Sequence, residues 1–216
     1  SFCYNVSMWG KDNRPFVRTY STERAIELFM EIIKKYKRKI FLIVDDNFLC
    51  FHSRSLAVCD FLSKYNVHFY TSARADNLDD DIMQALKKAG CHTLLIGIES
   101  GSQRVLDFLG KKTTIEQNIN AIKLCKKYHI KCDASLMVGI PTETKEDLKQ
   151  TVDLIKTYKP DLANVHIYEP LPAPLFDYCI AKGLITKPKT LKEWATIGDI
   201  FTINNNLSEI PREDLQ

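Results

Sequence analysis

The sequence lacks the signatures of the common nucleotide-binding folds and of membrane spans. Neither a G-x-G-x-x-G motif nor a Walker loop occurs among its 216 residues, which excludes the usual dinucleotide-binding and P-loop folds. No apolar run approaches the roughly 20 residues that a transmembrane helix needs. A dominant charge is missing too, since 30 basic and 27 acidic residues leave a formal net charge of +3. This balance offers no argument for a nucleic-acid partner.

The seven cysteines lack the regular spacing of a disulfide scaffold. Their number is odd and no C-x-x-C pair occurs, which favours free thiols in a reducing compartment and therefore a cytoplasmic location. Cys125, His129 and Cys132 lie close together in the sequence, and a zinc site is one interpretation of them. Because a fourth ligand is absent, the favoured interpretation is core thiols where a helix ends and a strand begins.

A repeated unit is present instead, in which an apolar strand runs into polar or glycine-rich residues and then into a helix. Strands are predicted at residues 40–44, 67–72, 93–98, 133–138 and 164–167. Their continuous apolar runs suit strands that are buried on both faces of a parallel sheet. The alternation predicts an α/β fold, either a barrel or a doubly wound sheet, with the carboxyl ends of the strands gathered on one side.

Charged side chains follow the first three predicted strands. Asp45 and Asp46 follow the first strand, Arg74 the second and Glu99 the third. The adjacent carboxylates suit a divalent metal or a ligand amine, but the second would equally cap the next helix, and the local sequence favours neither. Arg74 is placed to hold a ligand carboxylate, with an ion pair to Asp76 or Asp46 as the simpler alternative.

A series of strand-end motifs resembles the radical S-adenosylmethionine (SAM) superfamily, most closely its cobalamin-binding and methylthiotransferase-like branches. The motifs are S-F-C at residues 1–3, D-D-N-F at 45–48, A-R-A-D at 73–76, I-G-I-E-S-G-S at 96–102, M-V-G-I-P-T-E-T at 137–144 and E-P-L-P-A-P-L at 169–175. The fourth is the most specific, because the family pairs this strand end with the ribose or amino acid part of SAM. The resemblance covers residues 1–185, expected to form the barrel core, and leaves 186–216 as a C-terminal extension.

The resemblance implies an incomplete parallel (β/α) barrel of the radical SAM type, with its first strand missing. Residues 1–3 match only the last three positions of the family motif C-x-x-x-C-x-aromatic-C. We therefore expect the sequence to begin inside this motif, with Cys3 as its one remaining metal ligand. Since the family holds its [4Fe–4S] cluster with three thiolates, this chain alone is expected to hold no stable cluster and to be inactive.

The resemblance further implies an enzyme that cleaves SAM reductively at a [4Fe–4S] cluster to start radical chemistry on an unidentified substrate. An electron donor is implied, and in the cobalamin-binding branches a corrinoid on an upstream domain takes part in methyl transfer. No catalytic residue is assigned. The candidate cofactor-binding residues are Glu99, Ser100, Arg74 and Asp46, with Val138, Gly139 and Tyr168 expected to pack against the adenine.

Two other functions fit parts of the sequence. A degenerate barrel would serve as a non-catalytic binding scaffold if the intact protein lacks the other motif cysteines. A divalent-metal lyase or hydrolase would instead use Asp45, Asp46 and Glu99 as ligands. Cysteines immediately upstream would exclude the first alternative, whereas Mg or Mn in place of Fe would favour the second.

Overall fold

A five-stranded parallel sheet forms the centre of the computed structural model, which describes residues 2–3, 17–197 and 206–215. The strand order follows the chain, and each strand runs parallel to the next. The strands are β1 (Ile40–Leu42), β2 (His68–Ala73), β3 (Cys91–Glu99), β4 (Lys131–Val138) and β5 (Leu162–Ile167). Together they form a half-barrel, which confirms the predicted fold class and all five predicted strands.

One helix precedes β1, and the others connect successive strands or follow the last one. They are α1 (Thr22–Lys34), α2 (His52–Ser63), α3 (Asp80–Ala89), α4 (Gln103–Leu109), α5 (Ile115–Tyr128), α6 (Lys145–Tyr158), α7 (Pro174–Ala181) and α8 (Leu191–Ile197). Short 3₁₀ turns occupy Ala75–Asn77 and Arg212–Leu215. None of these described helices has the length and apolar character that crossing a membrane requires.

Side-chain caps fix where the connecting helices begin. The Thr114 hydroxyl accepts a hydrogen bond from Gln117 N at 3.2 Å, and the Gln117 side chain accepts one from Thr114 N at 2.9 Å. Thr144 and Asp147 form the same reciprocal capping box at the start of α6. These pairs satisfy backbone N–H groups that a helix start leaves without partners.

The helices cover one face of the sheet, where the main hydrophobic core lies. Alternate strand residues point to the same side, and those facing the helices are almost entirely buried. They include Phe69, Leu94, Ile96, Ile98, Ala134 and Leu136. At the edge strand, the Phe29 ring of α1 packs against Phe41 with centroids 6.1 Å apart.

The opposite side of the sheet, which we call the concave face, carries smaller and more polar residues. Strand alternation and register assign to it Tyr70, Ser72, Thr93, Leu95, Gly97, Asp133, Ser135, Met137, Leu162, Asn164 and His166. In β1, Ile40 is 80% exposed and Leu42 66%. The expectation of strands buried on both faces is therefore wrong for β1. It is wrong for β5 as well, where Leu162 and Val165 are more than half exposed, because a half-barrel leaves its edges uncovered.

The C-terminal residues 206–210 return to the turn that follows β4. Leu207 N donates to Gly139 O at 3.3 Å, and Glu209 N donates to Glu143 O at 2.9 Å. This segment therefore contacts the sheet at the carboxyl end of β4. The division of the chain at residue 185 stays a prediction.

Candidate functional site

Glu99 ends β3 in a left-handed backbone conformation, with φ of +62°. The pairing of β3 with β4 shifts register between Gly97 and Glu99, which is the kind of bulge that re-aims a side chain next to a site. Glu99 Oε1 accepts a hydrogen bond from Lys111 Nζ at 2.8 Å. The two side chains are only 13% and 8% exposed, so the carboxyl end of β3 carries a largely buried ion pair.

Gly97 leaves the space that this ion pair occupies. A Cβ at this position would lie 2.6 Å from Glu99 Oε1 and 2.7 Å from Lys111 Nζ, closer than atoms in van der Waals contact. The first glycine of the I-G-I-E-S-G-S motif therefore leaves the ends of these two side chains free to lie close to the concave face. This places the ion pair directly over β3.

Lys111 connects Glu99 to the cysteine motif and to the end of β2. Its Nζ lies 5.8 Å from the centroid of the Phe2 ring, within the range of a cation–π contact, and Phe2 precedes Cys3. Its backbone oxygen accepts a hydrogen bond from Arg74 Nη2 at 3.0 Å. Phe2, Glu99 and Arg74 thus contact one lysine.

Lys111 was not among the site residues predicted from the sequence. It follows Gly110, which ends α4 in a left-handed conformation and directs the chain back toward the sheet. Its neighbour Lys112 is of the same type but exposed. No local pattern distinguishes the buried lysine from the exposed one, because the distinction depends on how the chain packs after α4.

Arg74 forms an ion pair with Asp76, which was the simpler of the two interpretations of this residue. Its Nε and Nη2 donate to the two Asp76 carboxylate oxygens at 2.9 and 2.8 Å. Glu99 is paired with Lys111 and not with Arg74. A contact between Arg74 and a SAM carboxylate stays a prediction.

Asp46 is exposed beyond the end of β1. The adjacent Asn47 donates from Nδ2 to Asn77 Oδ1 at 2.7 Å, which joins the segments that follow β1 and β2. Asp46 therefore lies on a segment fixed beside the turn after β2. A role for its side chain in binding a ligand stays a prediction.

Ser100 is fully buried and turned toward α6. Its Oγ lies 3.2 Å from Thr151 Oγ1 and accepts from Ser102 N at 3.1 Å. Gly101 N also donates to Thr151 Oγ1, at 2.8 Å. The fold thus uses the Ser100 hydroxyl to attach the end of β3 to α6, and a ligand contact by this residue stays a prediction.

A buried carboxylate at the start of α6 continues this attachment. Asp147 Oδ1 accepts from Ser102 Oγ at 2.6 Å, and the other oxygen pairs with Arg104 and accepts from Thr144 Oγ1. Burial opposes ionisation of Asp147, but the hydrogen bonds from Arg104, Ser102 and Thr144 outweigh it and hold its pKa well below the usual range. The carboxylate is therefore charged at neutral pH.

The turn after β4 is built on Gly139 and Glu143. Gly139 has φ of +75°, which favours glycine. Glu143 Oε2 accepts from Gly139 N at 2.8 Å and from Ile140 N at 3.3 Å, while the side chain is almost completely buried. Burial raises the pKa of Glu143 to about 7, against the two backbone hydrogen bonds that favour the carboxylate.

The residues predicted to pack against an adenine lie beside this turn. Val138 O accepts a hydrogen bond from Tyr168 N at 2.8 Å. Tyr168 is 2% exposed and belongs to a second apolar cluster that also contacts Phe2. A Cβ at Gly139 would lie 3.3 Å from the Ile167 side chain, its nearest neighbour. Adenine packing by Val138, Gly139 and Tyr168 stays a prediction.

Neither predicted metal alternative is assembled within residues 2–3, 17–197 and 206–215. No group of three or more His, Cys, Asp or Glu side chains there is arranged to hold a metal ion. Asp45, Asp46 and Glu99 therefore do not form a divalent-metal site. Cys125 and Cys132 are fully buried in the main core, as the favoured interpretation of them predicted.

A parallel half-barrel with charged residues gathered at the carboxyl ends of its strands is the architecture of barrel enzymes that bind their ligands at that end. The family model described as "Radical SAM superfamily" matches residues 1–155. The chain belongs to the radical SAM superfamily, which confirms the resemblance found in its motifs.

Curated relatives extend over most of the chain. An uncharacterized methyltransferase of Pyrococcus horikoshii is 30% identical over 211 residues, which are 96% of this chain and 45% of that protein. The anaerobic magnesium-protoporphyrin IX monomethyl ester cyclase of Rubrivivax gelatinosus is 28% identical over 80% of this chain and 31% of its own length. The chain thus spans less than half the length of these two relatives.

Solved structures show the same fold. The radical SAM methyltransferase TsrM from Kitasatospora setae, with tryptophan and a SAM analogue bound, superposes with a TM-score of 0.65 at 16% identity. The alignment covers 79% of this chain and 35% of TsrM. The apo form of OxsB, a cobalamin-dependent radical SAM enzyme, gives a TM-score of 0.65 at 19% identity over 82% of this chain and 33% of OxsB.

Proposed function

We propose that this chain is the SAM-binding core of an enzyme that cleaves SAM reductively at a [4Fe–4S] cluster and starts radical chemistry on a substrate. One observation carries the proposal: the Glu99–Lys111 ion pair lies at the carboxyl end of β3 and contacts Phe2 of the cysteine motif. The residues that bind SAM and those that bind the cluster would have to lie close together, as this ion pair and the cysteine motif do.

The donors and acceptors around Lys111 fit the charged parts of SAM. Among the described hydrogen bonds, those to Glu99 use Oε1, which leaves Oε2 to accept from an ammonium or hydroxyl group. Lys111 Nζ donates one described side-chain hydrogen bond out of three available. Its positive charge, together with Arg74, suits a ligand carboxylate.

The described residues do not complete a cluster site. Cys3 is the one motif thiol they contain, and three thiolates are the family's requirement. If the whole protein binds a reduced cluster, that cluster would supply the single electron needed to cleave SAM into methionine and a 5′-deoxyadenosyl radical. We propose that the whole protein supplies the other cluster ligands.

The chain's own residues would bind and orient SAM. A largely buried ion pair keeps its geometry and acts in a medium where charge interactions are stronger than in water. Glu99 would accept from SAM through Oε2 while Lys111 holds the carboxylate group in place. The apolar cluster around Phe2 and Tyr168 would keep water from this side of the site.

A reconstituted full-length protein tests the proposal. After anaerobic treatment with iron and sulfide and reduction with dithionite, it should convert SAM to methionine and 5′-deoxyadenosine, measured by liquid chromatography and mass spectrometry. Cys3→Ala should abolish the product and the bound iron. Cys50→Ala is the matched control, because this thiol is exposed and outside the motif. Product formation that survives Cys3→Ala would contradict the proposal.

We further propose that the whole protein takes part in cobalamin-dependent methyl transfer. Support comes from the methyltransferase name of the Pyrococcus relative and from the cobalamin-dependent neighbour OxsB. Corrinoid absorbance in the purified full-length protein, and labelled methyl transfer from SAM to added cobalamin, would test this. A protein that binds no corrinoid would contradict it.

A cytoplasmic location is proposed on the state of the thiols. All seven cysteines lie in the described part of the chain, and none of them forms a disulfide. Such a set suits a reducing compartment, which is also where a protein electron donor would reach a cluster. Fractionation of the source cells, with the protein detected outside the cytoplasm, would contradict the proposal.

A further inference from the structure

A polar cluster lies on the concave face at a distance from the Glu99–Lys111 pair. Asp133 of β4 is its centre. Tyr70 Oη of β2 donates to Asp133 Oδ2 at 3.2 Å, and Asn164 Nδ2 of β5 donates to Asp133 Oδ1 at 2.6 Å. The Tyr70 side chain crosses β3 to make this contact, since β3 separates β2 from β4. The cluster therefore spans four strands.

The charge of Asp133 has no cationic partner in the described residues. The side chain is 4% exposed, and a carboxylate this buried is normally paired with a positive charge. Yet none of the salt bridges formed within residues 2–3, 17–197 and 206–215 includes Asp133. Its two hydrogen-bond donors, a phenol and an amide, are neutral. The cluster carries a negative charge that its own side chains do not balance.

Two hydrogen-bond acceptors of this cluster are left for a ligand. Burial, together with the charge of Asp133 and the hydrogen bond to it, raises the pKa of Tyr70 to about 12, so the phenol keeps its proton. That proton is directed at Asp133, which leaves the Tyr70 oxygen to accept from a ligand. Asn164 is exposed and donates from its nitrogen, which leaves its Oδ1 as a second acceptor.

The cluster lies below the candidate SAM site on the same face. Asp133 pairs with Leu95, and Ser135 pairs with Gly97 beneath the ion pair. Asp133 and Ser135 are two residues apart along β4, which corresponds to about 7 Å. A molecule seated on Tyr70 and Asn164 would thus lie within reach of a ligand held by Glu99. Acceptors above an unbalanced negative charge favour a cation that donates hydrogen bonds.

We propose that Tyr70 and Asn164 bind a cationic nitrogen of the substrate, a primary or secondary ammonium group, and that Asp133 acts as a positioning residue beneath them. The identification of this cation as part of the substrate rests on the proposed function, whereas the ammonium site itself does not. The alternative is a network that only braces β2, β4 and β5. An ammonium site would bind a cation more tightly than a neutral molecule of the same shape. A network that only braces the strands would not distinguish them.

Fluorine NMR of two matched probes separates these alternatives in the full-length protein. The probes are 4-(trifluoromethyl)benzylammonium and 4-(trifluoromethyl)benzyl alcohol, titrated separately. We expect the ammonium probe to bind roughly tenfold more tightly than the alcohol. Asp133→Asn should remove this preference, whereas Asp60→Asn, an exposed acid on α2, should retain it. Equal affinities in the unaltered protein, or a preference that survives Asp133→Asn, would overturn the proposal.

Tyr70→Phe keeps the inference testable if Asp133→Asn fails to fold. It retains the carboxylate and removes one proposed acceptor oxygen. The ammonium probe should then bind several-fold more weakly, with a smaller loss of affinity for the alcohol. An unchanged affinity for the ammonium probe would overturn the role of Tyr70 and with it the site.

SAM affinity, measured in parallel, keeps this inference distinct from the proposed function. Selective ammonium binding in a protein that does not bind SAM would contradict the proposed function and support the ammonium site. SAM binding without ammonium selectivity would overturn the site alone.

Discussion

The two halves of the stretch from Gly97 to Ser102 have different surroundings. The front half, Gly97 and Glu99, faces the concave face and is in contact with the Lys111 ammonium group. The back half, Ser100, Gly101 and Ser102, turns to α6 and is hydrogen-bonded to its side chains and packed against its backbone. One motif therefore serves two purposes, since its first part shapes a candidate site and its second fastens the strand to a helix.

The surroundings of Gly97 and Gly101 show this difference most directly. A Cβ at Gly97 would meet the ends of two flexible side chains, whereas a Cβ at Gly101 would lie 2.5 Å from Thr151 Cα and 2.6 Å from Gln150 O. Side-chain ends can move at modest cost, but the backbone of a packed helix cannot. The same substitution at the two positions should thus separate binding from stability.

The largest expected effect is on folding, from Gly101→Ala. The added methyl group must displace the α6 backbone, and overpacking of this kind destabilises a protein by roughly 3 kcal/mol. Urea unfolding of the full-length protein measures the change, with Gly97→Ala as the matched control. A free energy of unfolding within about 0.5 kcal/mol of the unaltered protein would show that α6 does not hold the back half as described.

The next effect is a pH dependence from Glu143, in the turn before α6. Its pKa is raised to about 7 by burial, above that of an exposed glutamate, so the folded state retains a proton that the unfolded chain releases. Stability should therefore fall as pH rises from 5 to 8, by about 2 kcal/mol from this group. Glu143→Gln should remove that portion of the slope.

Glu146→Gln is the control for this measurement, because Glu146 is an exposed acid in the first turn of the same helix. It should leave the slope unchanged. Parallel curves for the unaltered protein and Glu143→Gln between pH 5 and 8 would contradict the raised pKa.

The smallest expected effect on stability comes from Gly97→Ala. The new methyl group would displace Glu99 Oε1 and Lys111 Nζ toward the open concave face, at a cost of about 1 kcal/mol. SAM affinity, measured by equilibrium dialysis, should fall roughly tenfold because the ion pair is moved. Unchanged affinity would mean that the position of the pair does not matter for binding.

The fold could be predicted from local patterns. Apolar runs ending in polar residues marked the five strands, because such a run is a local property of the sequence. Strand exposure at the edges could not be predicted in this way. It depends on what covers β1 and β5, and no local signal records that.

The site was only partly predictable, for a related reason. The motif identified Glu99 and the strand end that carries it. It did not identify Lys111, because the contact joins residues on either side of α4, or the attachment of Ser100 to Thr151, which joins β3 to α6. The motif identifies which positions are important. Whether a residue at such a position contacts a ligand or stabilises the fold depends on long-range packing.

The most direct test of the central claim is SAM affinity in Glu99→Gln, made in the full-length reconstituted protein. The amide oxygen of glutamine can still accept from Lys111, but the buried ammonium group loses its counter-charge, so the melting temperature should also fall. Loss of the charge facing SAM should weaken binding by roughly tenfold or more. Asp60→Asn, which alters an exposed acid paired with Lys64, should change neither quantity. SAM affinity that stays intact in Glu99→Gln would contradict the account, since Glu99 would then serve only as the ion-pair partner of Lys111.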